Sequence, residues 1–487
     1  MPSAPTPRAL VDDGPATGDE PLDSFRRTVG IALVTLVVVC GALLGLNFFQ
    51  GPELETATVD SAAVTTRPDQ ELRLFADQRV AEVDEAQVSV TPAADVTVST
   101  ADEVITVRFE DRLLYATDYT VTVESVTSLF VDQPTSFEHR FTTDPERMLY
   151  LDRSDPASTP DGLDAIVSTE VSGTDRSVEY EARRIQSFTV VGDLLAVVTL
   201  LDDGTNAITL VSRVDGAEER LVLPDAGIVD ELEGSTESGR IAFVFSSTAQ
   251  EGESDAAPEF SQVLYTVDLA GSHTPVAVPA LDGSPLGVLG WVLEPAGSDG
   301  VARAIAQTFD ETLLRVDLGG GSPPVPLGQY PALGRMSLDG EAVVVGDLYG
   351  SIELDLQTLE ERRVPALAVD GELPFGGELQ ITGDDLERVQ QVAIFDYDDG
   401  SFESYLVFDD GEQAGVLYQD PDGRGSLESF TVSPNGQFAA VSIIPDVAAG
   451  VTDGYLVDPQ STSVTTLVID VATGAVVRSV DGFGVRW

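Results

Sequence analysis

The sequence predicts an all-β chain that follows a single N-terminal transmembrane helix. An uncharged apolar run of 18 residues, 29–46, lies near the start of the chain. From residue 56 onward, short segments carry apolar residues at every second position, which is the period of a half-buried β-strand. Turn residues separate these segments at intervals of roughly 8–12 positions. These three observations together predict the fold class.

Composition excludes several classes of function. The 487 residues include 83 Asp and Glu against 26 basic residues, all of them Arg, for a net charge of −57. Such a chain repels phosphates, so we expect no nucleic acid partner. One Cys excludes a disulfide framework and a Cys-based zinc site, and two His leave little room for a His-metal centre or a His-dependent triad. We therefore expect no cofactor, no metal and no catalytic residues.

The apolar run predicts a membrane anchor over residues 28–50. No charged residue lies between Arg27 and Glu53. About 20 helical residues cross a hydrocarbon core of about 30 Å, so the run is long enough. Arg26 and Arg27 precede it, and the next basic residue is Arg67. This asymmetry predicts a cytoplasmic N-terminus, with the bulk of the chain outside the cell membrane.

Two other interpretations of the run are disfavoured. A cleaved signal peptide has an apolar region of about 7–15 residues and a small-x-small cleavage site, and neither is found here. A lipid-attachment site at Cys40 is disfavoured because Val39 stands where a small residue is expected. Cys40 is then a small apolar side chain in lipid. Residues 1–27, rich in Pro, Asp, Ala and Thr, predict a disordered cytoplasmic tail.

Residues 54–144 predict an Ig-like β-sandwich. About seven short strands over roughly 90 residues is the size of that fold. The chain has no Cys pair, so the disulfide-pinned antibody type is excluded. The alternating segments are 71–75, 87–90, 96–98, 104–109, 119–123 and 137–141.

A resemblance adds to this prediction. Leu113-Leu114, the strand 118–123 (DYTVTV) and the closing Phe141-Thr142-Thr143 resemble the bacterial Ig-like domain first described in S-layer proteins. The resemblance covers roughly residues 54–144. It implies a spacer or adhesive module without catalytic residues.

Residues 147–487 repeat a pattern that predicts a β-propeller. A Val- or Leu-rich strand ends in an apolar residue followed by Asp, and a turn and another strand come after it. The repeats are separated by roughly the 40–50 residues of a four-stranded blade. The Asp suits a strand end because its side chain can accept hydrogen bonds from the turn backbone. The six steps end at Asp215, Asp268, Asp317, Asp355, Asp409 and Asp470.

A strand pair precedes these hairpins. The clearest is 430–441, whose turn is Ser433-Pro434-Asn435-Gly436, and 336–345 and 190–198 repeat it. The turn resembles the FSPDG turn of WD40-like and TolB-like propellers. The His and Trp-Asp marks of the WD40 family are absent here.

The ends of this region predict how the ring closes. A further hairpin, 166–169 with 178–180, and a strand at 148–151 bring the hairpins to seven. The last residues, 484–487, have the pattern of a lone inner strand that completes the first blade, which removes an exposed sheet edge. Seven blades are favoured, with six or eight as the alternatives.

Three short stretches and the two histidines are candidates for a metal site, a phosphate-binding loop or a catalytic site. Residues 396–400 and 420–425 cluster carboxylates as calcium loops do, but in the second one Arg424 and Thr431 occupy ligand positions, so hairpin turns are favoured. The glycines 319–321 lack the Lys and the helix of a phosphate loop. A hydrolase is disfavoured because no G-x-S-x-G elbow occurs, and neither His139 nor His273 has a Ser or Cys partner within a recognisable catalytic motif.

These features predict a single-pass binding or scaffold protein of the cell envelope. The Ig-like module would serve as a spacer, and the propeller would recognise an envelope protein or a glycan through its central channel and one rim. Two alternatives stay open, a propeller-based hydrolase and a transmembrane sensor. Long loops near 249–258 and 445–460 are either further candidates for binding or solvated loops without a role, and the second interpretation is favoured for the acidic stretch 249–258. The absence of Lys and the abundance of Ala, Gly, Val and Arg resemble an actinobacterial envelope protein.

Overall fold

The computed structural model describes most of the chain. Described are residues 20–48, 51–130, 132–153, 162–248, 260–295, 300–365, 367–369, 374–395, 402–411, 413–421, 423–455 and 458–487. Contacts divide the chain into two units. The first comprises Met1–Asp60, Asp69–Glu110 and Asp118–Phe141; the second comprises Ser61–Pro68, Asp111–Thr117 and Thr142–Trp487.

The first unit begins with helix α1, Glu20–Phe48. It starts before the predicted boundary at residue 28, inside the segment predicted to be disordered. Pro21 stands in the first turn, where proline is tolerated, and no helix-breaking residue follows before Gly30. Across the described residues, no helix combines the length and the apolar character that crossing a bilayer requires.

The rest of the first unit is a pair of antiparallel sheets. The elements are β1 (Leu54–Thr58), β2 (Gln70–Ala76), a 3₁₀ helix (Glu85–Gln87), β3 (Val88–Thr91), β4 (Val96–Ala101), β5 (Val104–Phe109), β6 (Asp118–Val126) and β7 (Thr135–Thr142). One sheet has the order β1-β2-β5-β4 and the other β3-β6-β7. Alternate residues of the strands are buried, as at Leu72 and Leu74 of β2 and Val121 and Val123 of β6, so the period-two pattern found in the sequence is the core face. The rings of Phe109 in β5 and Phe141 in β7 join the two sheets with centroids 6.1 Å apart.

The second unit is a β-propeller. Its described residues form seven four-stranded antiparallel sheets, here called blades, and the inner strands of blades one to six contact one another in succession. Blades arranged in this way surround a central channel. Blade one is β8 (Arg147–Asp152), β9 (Asp164–Glu170), β10 (Ser177–Ala182) and the last strand of the chain, β35 (Phe483–Arg486). Blade two is β11 (Ile185–Val191), β12 (Leu194–Leu200), β13 (Asn206–Ser212) and β14 (Glu218–Arg220). Blade three is β15 (Gly227–Ser235), β16 (Arg240–Ser247), β17 (Val263–Asp268) and β18 (Val276–Ala277). Blade four is β19 (Gly290–Glu294), β20 (Arg303–Gln307), β21 (Thr312–Asp317) and β22 (Val325–Gln329).

Blades five to seven have the same order. Blade five is β23 (Ala332–Met336), β24 (Ala342–Asp347), β25 (Gly350–Asp355) and β26 (Glu361–Arg363). Blade six is β27 (Phe375–Ile381), β28 (Arg388–Phe395), β29 (Phe402–Asp409) and β30 (Ala414–Gln419). Blade seven is β31 (Ser426–Val432), β32 (Phe438–Ile444), β33 (Thr465–Asp470) and β34 (Ala475–Asp481). Helix α2 (Ala63–Thr66) and 3₁₀ helices at Asp384–Leu386 and Val447–Ala449 complete the elements of this unit.

The ring closes as the sequence predicts. Strand β35 pairs antiparallel with β8, with Phe483 opposite Leu151 and Arg486 opposite Leu149. Met148 and Val167 of the first blade share an apolar cluster with Ala440 and Val468 of the seventh, and Val485 and Trp487 pack against that cluster. The two ends of the propeller sequence therefore meet in one blade.

The Asp residues at the strand ends act as predicted. Five of the six end the third strand of a blade, and Asp215 lies in the turn just after β13. In each case the carboxylate accepts a hydrogen bond from the backbone of the turn. The donors are the amides of Ala217 (3.2 Å), Ala270 (2.9 Å), Gly319 (2.7 Å), Gln357 (2.9 Å), Gly411 (3.0 Å) and Thr473 (2.9 Å).

Candidate functional site

The candidate site is a cleft of about 700 Å³ in the second unit. Its walls are mainly inner strands and the turns that follow them, together with Thr66 of α2, Arg112, and Ala440 and Ser442 of β32. Charged side chains of both signs line it together with apolar ones, although the chain as a whole is strongly acidic. The charged residues are Arg112, Arg335, Arg486, Glu233, Glu237 and Glu378; the larger apolar ones are Trp291, Val292, Leu293, Pro295, Met336, Leu338, Phe430, Val432, Pro434 and Val485.

Irregular strand pairing shapes the channel wall. Six inner strands, β11, β15, β23, β27, β31 and β35, have a register shift against the second strand of their blade. A β-bulge leaves a residue outside the ladder and changes the direction of its side chain. Glu231 in β15, Arg335 in β23 and Glu378 lie within such shifts or next to their ends. The shifts thus fall where charged residues occur on strands that line the channel.

Arg486 connects three inner strands. Its guanidinium forms an ion pair with Glu233 at 2.8 Å, with both carboxylate oxygens as acceptors. It also donates to the carbonyl oxygens of Leu232 (3.2 Å) and Phe188 (3.3 Å). Strands β35, β15 and β11 are thereby joined on one side of the channel. Both charged side chains are about one third exposed, so the pair is in contact with water.

Arg335 has the same role on another set of inner strands. Its Nε forms an ion pair with Glu378 at 2.6 Å. A terminal nitrogen donates to the carbonyl of Phe430 (2.7 Å), and the guanidinium lies 4.8 Å from the centre of the Phe430 ring. Strands β23, β27 and β31 are joined in this way.

Arg112 is held by backbone carbonyls. Its Nε donates to the carbonyl of Thr66 (3.0 Å) and a terminal nitrogen donates to the carbonyl of Leu338 (3.4 Å). Among the described residues it has no ion-pair partner, and the same is true of Glu237. The cleft therefore contains two Arg–Glu pairs, one further cation and one further anion.

Glu231, on the inner strand β15 but not among the residues that line the cleft, has an altered acidity. It adopts a left-handed backbone with φ of 48° inside the shift of β15. Burial, with the charges of Asp230 and Glu233, raises the pKa of this carboxyl to about 7, although a hydrogen bond from the backbone of Trp291 opposes the shift. Near neutral pH, the group can therefore accept or release a proton.

The two histidines have different surroundings. His139 lies in β7 with its ring 6.1 Å from that of Phe141, and burial lowers its pKa. The ring nitrogens of His273 contact the carbonyl of Leu269 (2.8 Å) and the carboxylate of Glu219 (2.9 Å). Both partners are acceptors, so the protonated ring can donate a hydrogen bond to each of them. These contacts raise the pKa of His273, the carbonyl most strongly.

The loop stretches singled out in the sequence form turns where they are described. Asp420 accepts a hydrogen bond from the amide of Gly425 (2.7 Å), and residues 319–321 turn between β21 and β22. In the described part of the chain, no group of three acidic, His or Cys side chains could hold a metal ion. Residues 249–258 and 396–400 lie outside the described residues.

Residues of the loop at 445–460, a predicted candidate for binding, contact the first blade. Arg153 and Asp453 form an ion pair at 2.6 Å with side chains only 4 % and 3 % exposed. The Tyr455 hydroxyl donates to the Asp164 carboxylate, and the Arg153 guanidinium lies 4.1 Å from the centre of the Tyr455 ring. We call these four residues the latch. It fastens the insertion of the seventh blade to the first blade.

Sequence reasoning placed binding in the channel but named none of its charged residues. Glu233, Glu378, Arg335 and Arg486 lie in strands whose local pattern is ordinary. Their pairing joins residues 43 or 253 positions apart. One feature of the sequence could have indicated Arg486. It is an arginine in a strongly acidic chain, and it lies on the strand predicted to close the ring.

Comparison with known proteins found structural neighbours only. No family model matches the sequence, and no match was found among curated proteins. TolB from Acinetobacter baumannii is 12% identical, with 80% of this chain and 78% of that chain covered and a TM-score of 0.36. The β-propeller domain of the trilobed protease from Pyrococcus furiosus is 10% identical, with 74% and 93% covered and a TM-score of 0.40.

An oligogalacturonate lyase in complex with manganese is also similar. It is 12% identical, with 62% of this chain and 89% of that chain covered and a TM-score of 0.40. The propeller assignment rests on the strand order of the second unit, and no activity is carried over from these proteins.

Proposed function

We propose that this chain is a membrane-anchored extracytoplasmic binding or scaffold protein of the cell envelope, and that its propeller recognises a protein or a glycan. The observation that carries the proposal is the cleft of about 700 Å³ on the propeller channel. Concave sites of about 300–1,000 Å³, with apolar walls and a few placed polar groups, are typical of ligand binding. Arg335 and Arg486 supply fixed polar groups there.

The anchor is proposed from the apolar run at 28–50. The preceding Arg26 and Arg27 favour a cytoplasmic N-terminus, which leaves both β units outside. The bilayer would then be one partner of the chain. Protease added to intact cells should degrade the β units, and the full-length chain should require detergent for extraction. Release without detergent, or resistance to the protease, would contradict the anchor.

The sandwich of β1–β7 is proposed to be a spacer. Its strand count and the motif residues 118–123 and 141–143 support membership of the bacterial S-layer-type Ig-like family. The composition supports an actinobacterial origin. A spacer predicts that replacing residues 54–141 with an unrelated domain of similar length preserves partner binding.

Proximity labelling of the full-length protein in its own envelope tests the binding function. The intact chain and a Leu338→Ser variant, altered on the cleft wall, are compared. Partners that the intact chain labels and the variant does not would support binding through the cleft. Identical labelling patterns would refute it.

The alternative, a hydrolase, is favoured by one observation. The pKa of Glu231 is raised to about 7, and the residue lies beside Asp230 and Glu233, so the inner strand β15 carries a group suited to acid–base chemistry. A metal assay of the purified chain separates the two functions. Stoichiometric, chelator-sensitive calcium or zinc together with turnover that is lost in Glu231→Gln would favour the enzyme.

A further inference from the structure

Arg112 is a cation of the cleft that forms no ion pair with any residue in the described part of the chain. Arg486 and Arg335 are each held by a glutamate, whereas the two hydrogen bonds of Arg112 go to backbone carbonyls. Arg112, Thr66 and Leu338 all belong to the second unit. Glu237 lines the same cleft, but it does not pair with Arg112. Acidic residues outnumber basic ones 83 to 26, so a cleft arginine that is not paired with a described carboxylate is unusual in this chain.

The surroundings of Arg112 favour binding of an anion. Burial lowers the pKa of Arg112, and the charges of Tyr115, Asp111, Asp339 and Glu237 oppose this effect without forming an ion pair with it. A partly desolvated charge without a counter-ion is unfavourable, and a bound anion would relieve that cost. Guanidinium has five N–H donors, of which the carbonyls use two. The remaining donors can hold a carboxylate, which suits the planar fork of arginine.

The apolar walls indicate what carries the carboxylate. Leu293, Pro295, Met336, Leu338 and Pro434 line the same cleft. A peptide with apolar side chains would cover these surfaces, whereas the hydroxyl groups of a sugar would not. The volume of about 700 Å³ suits a chain end of a few residues.

We propose that the cleft binds the C-terminal end of a peptide chain, with the terminal carboxylate on Arg112 and the last side chains on the apolar wall. This inference rests on the proposed binding function and selects protein over glycan. The net charge of −57 repels acidic peptides over long distances, so the peptide has basic or neutral residues before its apolar end.

The test compares two synthetic peptide pools. Each has an Arg-Ser-Gly leader and four randomised apolar residues, and the pools differ only in ending as a free acid or as an amide. Binding to the full-length protein in mild detergent is measured by affinity selection and fluorescence anisotropy. We expect the selected acid to bind about tenfold or more tightly than its amide, since a charge-assisted contact has that effect.

Variants assign the effect to Arg112. Arg112→Gln should lose the preference for the acid while still binding the amide, which shows that the cleft is intact. The matched control is Arg220→Gln, at an exposed position of β14 outside the cleft, and it should keep the full preference. Raising the salt concentration should weaken acid binding more than amide binding.

Several results would overturn the inference. Equal binding of acid and amide by the intact protein would remove the carboxylate contact. If Leu338→Ser then weakened both forms, the cleft would still bind peptides, so the proposed function would stand without this inference. Arg112-dependent binding of a hexuronic acid trisaccharide, with no peptide selected, would replace the peptide with an acidic glycan. No selected peptide and no bound trisaccharide would refute the inference.

Discussion

The buried ion pair of the latch should control the stability of the propeller. Arg153 and Asp453 are 4 % and 3 % exposed, so neither charge is solvated when the other is removed. Breaking a buried pair by removing one partner costs about 3–5 kcal/mol. Arg153 also donates to the carbonyls of Gln186 (2.9 Å), Ile185 (3.1 Å) and Asp458 (3.3 Å), which stay available in an Asp453→Asn variant. We therefore expect the lower end of the range, a loss of about 3 kcal/mol.

Urea unfolding followed by tryptophan fluorescence measures this loss. The chain has two Trp residues, Trp291 and Trp487, and both belong to the second unit, so the signal reports the propeller alone. The control is Asp152→Asn, which breaks the ion pair between Asp152 and Arg176. That pair has a similar distance, 2.7 Å, but its side chains are 39% and 49% exposed. It should cost less than about 1 kcal/mol.

A double variant checks the reasoning. Arg153→Met combined with Asp453→Leu removes both buried charges and should be less destabilised than the sum of the two single changes. If Asp453→Asn cost no more than the exposed control, the latch would not be desolvated in solution. Strict additivity of the two single changes would likewise refute the coupling.

Three further predictions concern closure and protonation. Deleting residues 483–487 removes the inner strand of the first blade and should lower the melting temperature of the propeller; an unchanged temperature would reject closure by β35. The pKa of Glu231 is raised from an ordinary 4.5 to about 7, so its contribution to stability is full below 4.5 and is lost as the pH rises through 7. In urea unfolding, the free energy of unfolding of the Glu231→Gln variant should fall less between pH 4.5 and pH 8 than that of the intact protein. Equal decreases in the two proteins would count against a raised pKa at Glu231. The raised pKa of His273 gives the same sign, so its contribution is full below the ordinary value of 6.5 and is lost at higher pH. His273→Gln should therefore destabilise the propeller at pH 5.5 more than at pH 9, and a difference independent of pH would contradict the charged ring.

Local signals predicted much of the fold because they act between near neighbours. Asp268 and Asp317 bond to amides two residues on, and such a turn needs no other part of the chain. The alternation of apolar and polar residues around Leu72 and Leu74 indicates which face of the strand is buried, and this indication does not depend on what that face packs against. Helix α1 began earlier than predicted, since boundaries depend on weak propensities.

The sequence by itself determined the β class, the blade repeat and the closing strand, because period-two burial and Asp-terminated turns depend only on residues close to one another in the sequence. Only the tertiary structure decided which charges meet. Arg153 lies 300 residues from Asp453, and Arg486 lies 253 from Glu233. Such contacts between residues far apart in the sequence depend on the closed ring of blades and on the register shifts of its inner strands. Local sequence preferences do not encode that geometry, because it results from how seven blades pack around one axis.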